Sequence, residues 1–451
     1  MGLAVVVALG TLLSACSGGA SGGGSGVQVC STSGQGSLTV TIVPAGGVSP
    51  QVLVTGPGNY QKILTVSQTL QSLSAGTYMV ETLRVATAPS GGSPVGSAYG
   101  ATGDPVVSAC VKDGQTAAVT RTYALQPGSG RLWAGNEIGG SVVAYNASDL
   151  AAGGTHSAAA VIDLRNSTLN TTYGFQLAFG PSGTLWIADP VGGTSGNGQV
   201  LLFFQGKLAS SGSPPPDLVL EAPGFNELSQ LAFDLDGDLW ILNRGADQIL
   251  EYTAAQVRSL LREAGGGTVS TAPAYVYTGS GTELLGPRGL AFDTHGSLWV
   301  AGEDPGCGCE RLLRYDHPFP PGGTLTAAFG LRTTQSPLMF PTALAFDTSG
   351  HLWTVGGGLT RYDPSQLGGS GTQTNVAPAF GPSSTIGGTS QSPGIALGAA
   401  GNVWVSGEPS QLDRFVTGTA TAQSGWLASS DLDYPMGIAL YPSPLSGLPL
   451  N

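Results

Sequence analysis

The chain has 451 residues, of which 72 are glycine and 30 are proline, while 41% are hydrophobic and 10% are charged. This length allows two or three domains, and a glycine-rich, charge-poor chain with ample apolar material favours turn-rich, all-β structure. The net charge of −12, with 16 basic residues in all, argues against binding to nucleic acid and against electrostatic docking on anionic lipid.

The N-terminus has the pattern of an export signal. Residues 3–13 form an apolar run that is too short to span a bilayer as a helix but fits the h-region of a signal peptide. The run leads into Leu-Ser-Ala-Cys, which ends at Cys16. The simplest interpretation from these residues alone is a secretory signal, in which the cysteine is either incidental or functional.

This segment resembles the lipobox of bacterial lipoproteins. The resemblance implies a signal peptide over residues 1–15, a lipid on the Cys16 thiol and a Gly/Ser tether over residues 16–26. It also implies a lipid-anchored, extracytoplasmic protein of the cell envelope. Ser17 after the cysteine favours the outer membrane, where the organism has one.

Four cysteines remain once Cys16 is assigned to the lipid. An even number outside the cytoplasm indicates pairing, and four cysteines allow three connectivities. We expect Cys30–Cys110 and Cys307–Cys309, because each pair falls within one predicted domain. The second pair leaves three interpretations open: a clamp on a loop, a redox or thiolate metal site, and an intermolecular link.

Residues 27–125 have the alternating pattern of short β-strands. The clearest candidates are residues 37–43, 76–85 and 116–123, with turn residues between them. Such strands, with a cysteine near each end, predict a small β-sandwich. A Leu-x-x-Gly-x-Tyr motif that ends at Tyr78 is similar to a turn of transthyretin-like and carboxypeptidase-regulatory-like sandwiches. Residues 126–130 are the predicted linker.

The remainder of the chain repeats itself. A Gly-x-[Leu/Val]-Trp motif occurs six times, with tryptophans 51 to 59 residues apart, at Trp133, Trp186, Trp240, Trp299, Trp353 and Trp404. Each unit contains four strand candidates, which we label a to d, and a four-strand unit of this length is typical of a propeller blade. Each tryptophan is expected in the core. A helix is predicted only at residues 254–263, as an insertion in the third unit.

The order of strands predicts how the ring closes. The first unit lacks its strand a, and the chain ends with an orphan strand a near residues 437–441. The predicted fold is therefore all-β, with an N-terminal β-sandwich followed by a six-bladed β-propeller over residues 130–445, closed by the C-terminal strand.

Residues 239–252 resemble an NHL repeat. The same six-blade geometry is shared by gluconolactonase-type lactonases and by virginiamycin B lyase-like propellers, so the resemblance implies this fold over most of residues 130–445. The lactonase family uses a Glu/Asn/Asp set to hold a metal ion. The resemblance implies Glu137, Asn243 and Glu303 as candidates for that role.

Polar residues are predicted to gather on one face of the propeller, where the b–c loops and the starts of strand a meet. Their oxygens would suit a hard cation such as Ca²⁺, and a divalent ion with a carboxylate base could open a lactone or run a lyase reaction. A structural interpretation is that Asn or Asp after strand b holds its own loop. The ligand-binding candidates are Asn136, Glu137, Gln176, Asp189, Gln230, Asn243, Arg288, Glu303 and Glu408.

Two functions follow from this arrangement. The first is a membrane-anchored, non-enzymatic binding or scaffold lipoprotein whose propeller face binds a protein or glycan partner. The second is a metal-dependent lactonase or lyase at the channel mouth. The acidic run from Asp234 to Asp238 resembles the start of a Ca²⁺ loop, but turn chemistry explains it better, because the matching turns of other units lack ligands.

Overall fold

The computed structural model describes residues 30, 33–89, 93, 95–165, 176–194, 196–279, 283–304, 309–332, 341–356, 358–374, 376–383, 393–398, 401–407, 409–416 and 425–442. Within these residues the chain is nearly all β, arranged in eight sheets. No helix among them is long and apolar enough to cross a membrane. The predicted lipidation site at Cys16, the cysteine at Cys307 and the candidate Glu408 lie outside the described residues.

The N-terminal part forms two sheets, with strand orders β4–β1–β9–β7–β6 and β3–β2–β5–β8. Alternation in β1 buries Leu38 and Val40 in a core that the two sheets share. The predicted Cys30–Cys110 disulfide is confirmed. The strands are β1 Gln35–Val43, β2 Gln51–Gly56, β3 Tyr60–Leu64, β4 Gln68–Ser74, β5 Gly76–Leu83, β6 Val85–Thr87, β7 Ser97–Ala101, β8 Val106–Val111 and β9 Thr116–Leu125.

Six further sheets each carry one repeat tryptophan, and we number these repeat sheets 1 to 6 from Trp133 to Trp404. Their a strands, in this order, are β37 Pro435–Tyr441, β14 Gln176–Phe179, β18 Leu228–Phe233, β23 Gly289–Phe292, β28 Ala343–Phe346 and β33 Ile395–Leu397. Their b strands are β10 Arg131–Asn136, β15 Leu185–Asp189, β19 Leu239–Asn243, β24 Leu298–Asp304, β29 Leu352–Val355 and β34 Asn402–Gly407.

The outer strands complete each sheet. The c strands are β11 Ser141–Asn146, β16 Gln199–Phe203, β20 Gln248–Tyr252, β25 Cys309–Tyr315, β30 Leu359–Tyr362 and β35 Gln411–Val416. The d strands are β13 Ala160–Asp163, β17 Leu218–Leu220, β22 Tyr275–Gly279, β27 Phe329–Arg332, β32 Phe380–Ser383 and β36 Gly425–Ala428. Short additional strands are β12 Gly154–Thr155, β21 Gly267–Val269, β26 Gly323–Leu325 and β31 Gly371–Thr374.

The a strands form a closed ring. Each contacts the a strand of the next repeat sheet, and β33 contacts β37. The C-terminal β37 pairs antiparallel with β10, so one sheet joins the two ends of the repeat region. At the periphery β21, β26, β31 and β12 each pair parallel with the d strand of the preceding sheet. Four of the six junctions between adjacent sheets, those of sheets 2–3, 3–4, 4–5 and 6–1, are therefore joined by described strands at both their inner and outer edges.

The repeat tryptophans fill the space between neighbouring sheets. Each is at most 1% exposed, in agreement with the expected core position. Trp186 lies edge-on against Phe233 of the next a strand, with ring centroids 5.7 Å apart, and Trp240 meets Phe292 in the same way at 5.6 Å. Such aromatic pairs add to the free energy gained from burial alone. The Trp motif therefore marks the contact between successive sheets.

An aspartate closes the a–b hairpin in repeat sheets 3, 4 and 5. In sheet 4, one oxygen of Asp293 accepts the backbone N–H groups of His295 and Ser297, at 2.9 and 3.0 Å, and the other accepts the Trp299 indole N–H at 3.0 Å. Gly296 has a φ of 79°, which explains the glycine of the motif. Asp234 makes the same contacts in sheet 3, so turn chemistry explains the acidic run there.

Two α-helices lie in the c–d connections of the described chain. Helix α2, Ala254–Glu263, has the predicted bounds, and Thr253 and Gln256 form its capping box. The expectation of a single helix is wrong, because a six-residue helix α1, Ala147–Ala152, follows a capping box of Asn146 and Asp149. Four short 3₁₀ turns among the described residues occupy Pro57–Asn59, Gln205–Leu208, Arg244–Ala246 and Pro364–Gln366.

The two N-terminal sheets contact the repeat sheets on the side of the a–b hairpins, which we call the hairpin face. Arg258 of α2 forms an ion pair with Glu81 of β5, with 3.7 Å between Arg258 Nη1 and Glu81 Oε2. Glu81 is only 3% exposed. Arg84 donates its backbone N–H to the Pro181 carbonyl. Gln126, at the start of the predicted linker, is 2% exposed and donates to the Ser182 carbonyl. This segment is part of the interface.

We predict that Asp293→Ala lowers the free energy of unfolding by about 2–3 kcal/mol, because the Trp299 indole and two backbone N–H groups lose their acceptor. Denaturant unfolding followed by tryptophan fluorescence measures this change. His295→Ala is the matched control in the same hairpin, since its side chain is 87% exposed, and it should change stability by less than about 0.5 kcal/mol. Equal effects of both substitutions would contradict the assigned role of Asp293.

Candidate functional site

The candidate site lies on the face opposite the hairpins, which we call the loop face and define by the b–c and d–a connections. Antiparallel pairing brings the ends of the b strands and the starts of the a strands to this face in every repeat sheet. The described candidates Asn136, Asp189, Asn243 and Glu303 stand at or near the ends of b strands. Their hydrogen bonds show what each one does.

Asn136 joins two connections on the loop face. Its amide donates to the Ser141 hydroxyl at 2.9 Å and to the Asp431 carbonyl at 2.8 Å, and its side-chain oxygen accepts the Asp433 backbone N–H at 3.1 Å. The residue is 1% exposed. Asn136 therefore holds the d–a connection that enters β37 against its own b–c loop.

Asn243 has the same role in repeat sheet 3. Its side-chain oxygen accepts the Asn226 backbone N–H at 2.6 Å, while its amide donates to the Gly224 carbonyl at 2.8 Å and to Gln248 at 3.2 Å. The residue is fully buried. The side-chain oxygen and the NH₂ group of Asn243 thus bond to other groups of the protein, as the structural interpretation expects.

Asp189 holds its own b–c loop. One carboxylate oxygen accepts backbone N–H groups of Val191 and Gly192, at 3.3 and 3.0 Å, and the other accepts the Gln199 amide at 2.9 Å. Burial raises the pKa of Asp189, while these donors act in the opposite direction. A fully buried carboxylate with three internal donors is a structural anchor.

Glu303 and Arg288 form an ion pair at the loop face. Arg288 Nη2 lies 2.9 Å from Glu303 Oε1, and the side chains are 19% and 40% exposed. Gln230 accepts the Leu290 backbone N–H at 2.6 Å and so joins repeat sheets 3 and 4. Each of these candidates is engaged with a neighbour on the protein.

The three metal candidates belong to different repeat sheets and have different surroundings. Asn243 and Glu303 have the partners given above, and the backbone N–H of Glu137 donates to the Tyr434 carbonyl. Within the described ranges, no three His, Cys, Asp or Glu residues are grouped so that they could hold a metal ion. Cys309 begins β25, and the proposed Cys307–Cys309 bridge stays a prediction.

The most perturbed carboxyl groups lie away from the loop face. Burial raises the pKa of Glu81 to about 7, against the opposing effect of Arg258. Burial also raises the pKa of Glu251 to about 7 and that of Asp234 to about 6. Glu251 accepts the Tyr277 hydroxyl at 2.5 Å. These groups are in the third repeat sheet and at the interface with the N-terminal sheets, where they are structural.

Sequence reasoning placed Gln176 and Gln230 at the mouth of the central channel, where they line a cavity, but it did not identify the apolar interior of that cavity as a binding place. This cavity of about 410 Å³ is lined by the a strands of all six repeat sheets. Its walls are mainly alanine, leucine and phenylalanine, and Gln176 and Gln230 are the amides among its lining residues. The signal in the sequence is the recurring Leu-Ala-Phe of strand a, which makes the middle of the ring's inner surface apolar.

We predict that Asn243→Ala lowers the free energy of unfolding by about 2–4 kcal/mol, because it leaves buried backbone groups without partners, and leaves the calcium content of the protein unchanged. Denaturant unfolding and elemental mass spectrometry measure the two quantities. The control is Arg244→Ala, at the next residue, which removes an exposed ion pair with Glu227. This control should lower the free energy of unfolding by less than about 1 kcal/mol. Loss of bound calcium in Asn243→Ala alone would favour a metal site.

A second prediction concerns pH. The raised pKa values of Glu81, Glu251 and Asp234 mean that folding favours their protonated forms. The stability that they contribute is complete below their unfolded values near 4 and is lost as the pH rises through about 6 to 7. We expect the free energy of unfolding to fall by about 1–3 kcal/mol from pH 5 to pH 8.

Denaturant unfolding at a series of pH values tests this expectation. Glu81→Gln combined with Glu251→Gln should reduce the dependence, because two of the three titrating groups are removed and only Asp234 remains. The lowered pKa of Asp163, which follows from its hydrogen bonds with Arg165, affects stability only below its ordinary value of 3.8, outside this window. Stability that rises from pH 5 to pH 8 would contradict the assignment.

No protein-family model matches the chain, and no curated protein matches it in sequence. Among solved structures, virginiamycin B lyase from Staphylococcus aureus is 14% identical with a TM-score of 0.35, covering 56% of this chain and 69% of its own. A protein of unknown function from Bacteroides caccae (11% identity, TM-score 0.45) and apo AztD from Citrobacter koseri (13%, 0.37) each cover 68% of this chain and 97% of their own.

The lyase and AztD are β-propellers. At these identities and TM-scores, no activity and no ligand is assigned to the chain from the similarity. The NHL-repeat and lipobox resemblances stay predictions.

Proposed function

We propose that the chain is a lipid-anchored, extracytoplasmic binding protein, in which a β-sandwich and a six-bladed propeller form one body and the loop face of the propeller binds a partner protein. The six-blade count is supported by the closed ring of a strands and by the pairing of β37 with β10. The sandwich is supported by the two N-terminal sheets and their shared core.

One observation carries the functional part of the proposal. The polar side chains that the repeats bring to the loop face are used to hold its loops, as the contacts of Asn136, Asp189 and Asn243 illustrate. A surface whose loops are fixed before binding loses little conformational entropy when a partner docks. Such a face suits recognition by shape.

The chemistry of the face favours a protein over a glycan. Ile138, in the loop after β10, is 58% exposed and follows Glu137, which offers an apolar contact beside a charge. The repeat tryptophans are buried, so none of them provides a platform on which a sugar ring could stack. A glycan partner is therefore the less favoured form of the proposal.

The alternative, a metal-dependent lactonase or lyase, requires several of the candidates to share one ligand. The contacts of Asn243 with Gly224 and of Glu303 with Arg288 do not favour this arrangement. No observation among the described residues raises the enzymatic alternative above the binding function.

Export and anchoring are part of the proposal. A disulfide between Cys30 and Cys110 is compatible with an oxidising compartment outside the cytoplasm. The lipid on Cys16 and the tether of residues 16–26 would attach the protein to a membrane of the envelope, the outer one where the organism has it. The contact of the N-terminal sheets with the hairpin face leaves the loop face clear of that part of the chain.

Site-specific photocrosslinking in cells of the source organism tests the proposal. A photoreactive amino acid at position 138 should give a discrete adduct with a partner protein, identified by mass spectrometry. The same amino acid at position 295, on the exposed hairpin of repeat sheet 4, is the control and should not give that adduct. The same adduct from both positions, or none from position 138, would contradict partner binding at the loop face.

A further inference from the structure

The central cavity begins at the loop face, where the a strands start, and has a defined shape. Six consecutive residues of repeat sheet 3, from Gln230 to Leu235, line it, which corresponds to a length of about 17 Å at the rise of a β-strand. Dividing its volume of 410 Å³ by that length gives a mean cross-section of about 25 Å². The cavity therefore has room for one extended hydrocarbon chain along its axis.

The walls of the cavity are apolar along most of this length. Each a strand contributes an alanine at the matching position, and these are Ala178, Ala232, Ala291, Ala345, Ala396 and Ala439. Phe179, Phe233, Phe292 and Phe346 follow them toward the hairpin face. An apolar wall of this kind gains free energy when it contacts hydrocarbon and excludes water.

The end of the cavity at the starts of the a strands is polar. Gln176 is 8% exposed and lines the cavity, and none of the described groups hydrogen-bonds its side-chain amide. Gln230 lies at the matching position of the next a strand. Its side-chain oxygen accepts the Leu290 N–H, and among the described contacts its NH₂ group remains as a donor toward the cavity. A buried amide that faces an apolar cavity requires a polar partner there.

The opposite end excludes a negatively charged group. Asp234, Asp293 and Asp347 line the cavity where the a strands end, in a chain of net charge −12. Their oxygens accept hairpin N–H groups and tryptophan indoles, so they supply no donors to a ligand. Leu235 is 38% exposed at this end and extends the apolar wall to the surface.

We propose that the central cavity binds a single-chain, uncharged amphiphile, such as a fatty alcohol or fatty amide. Its hydrocarbon chain lies along the alanine and phenylalanine walls, and its polar group accepts hydrogen bonds from the amides of Gln176 and Gln230. An uncharged group is favoured because the cavity holds no cationic side chain among its lining residues to offset the cost of burying a carboxylate. This site does not depend on the proposed partner protein.

Isothermal titration of the purified full chain with linear alkanols from hexanol to dodecanol tests the proposal. The chain carries Cys16→Ser and is prepared without detergent, so that neither its own anchor nor a detergent competes. We expect one site per chain and an affinity that rises about fourfold per methylene until the chain length of the cavity is reached, where it levels off. Decanoate should bind at least about tenfold more weakly than decanol.

Two variants locate the site. Ala345→Leu narrows the cavity and should abolish binding, whereas Ala152→Leu, at an exposed position of α1, is the matched control. Gln176→Leu preserves the apolar wall and should weaken decanol binding about tenfold through loss of one hydrogen bond. Near-ultraviolet circular dichroism and the melting temperature establish that each variant is folded, and if Ala345→Leu is not, Gln176→Leu decides alone.

The results that would overturn the proposal are equally specific. The proposal is wrong if the protein without cavity substitutions shows no saturable alkanol binding. It is also wrong if affinity keeps rising with chain length without levelling off, or if folded Gln176→Leu binds decanol as tightly as the unsubstituted protein. Crosslinking from position 138 reports on the loop face, so its result and that of the titration fail or succeed independently.

Discussion

The contact between one repeat sheet and the next determines the rest of the structure. Trp133, Trp186, Trp240 and Trp299 each lie edge-on against the phenylalanine of the following a strand, at 5.6 to 6.3 Å between ring centroids. A ring built in this way has a large side chain at the outer part of each contact. The a strands converge near the axis, where there is less space between them. A small alanine beside each of these phenylalanines fits that space. The cavity and its apolar wall are direct consequences.

This constraint also separates the two faces. On the hairpin face, the turns of repeat sheets 3, 4 and 5 hold a tryptophan indole through Asp234, Asp293 and Asp347, and Thr184 does so in sheet 2. On the loop face, the anchors differ: Asn136 and Asn243 hold d–a connections, whereas Asp189 holds its own loop. Regular hairpins form the scaffold, and the loops provide individual shape.

The periodic features were accessible from sequence because they depend on local pattern. The tryptophan spacing, helix α2 and the Cys30–Cys110 pair needed only residue type, capping and domain position. The partners of Asn243 were not accessible, because Gly224 and Asn226 reach it through a separate connection of the ring. Helix α1 was missed because six residues carry too little periodicity to distinguish a helix from a turn.

No described group hydrogen-bonds the side-chain amide of Gln176, and this position is informative when it is compared with the other repeat sheets. At the matching positions of repeat sheets 4 and 5 stand Gly289 and Ala343, which place no polar group at the cavity. The neighbouring sheets 2 and 3 therefore both carry an amide where sheets 4 and 5 have an apolar residue. Of these two amides, only that of Gln230 joins neighbouring sheets among the described contacts, through its oxygen. Among the described residues the Gln176 amide serves neither the turn chemistry nor the sheet contacts, and glycine or alanine satisfies the fold at the matching positions. The proposed amphiphile supplies the polar partner that this position otherwise lacks there.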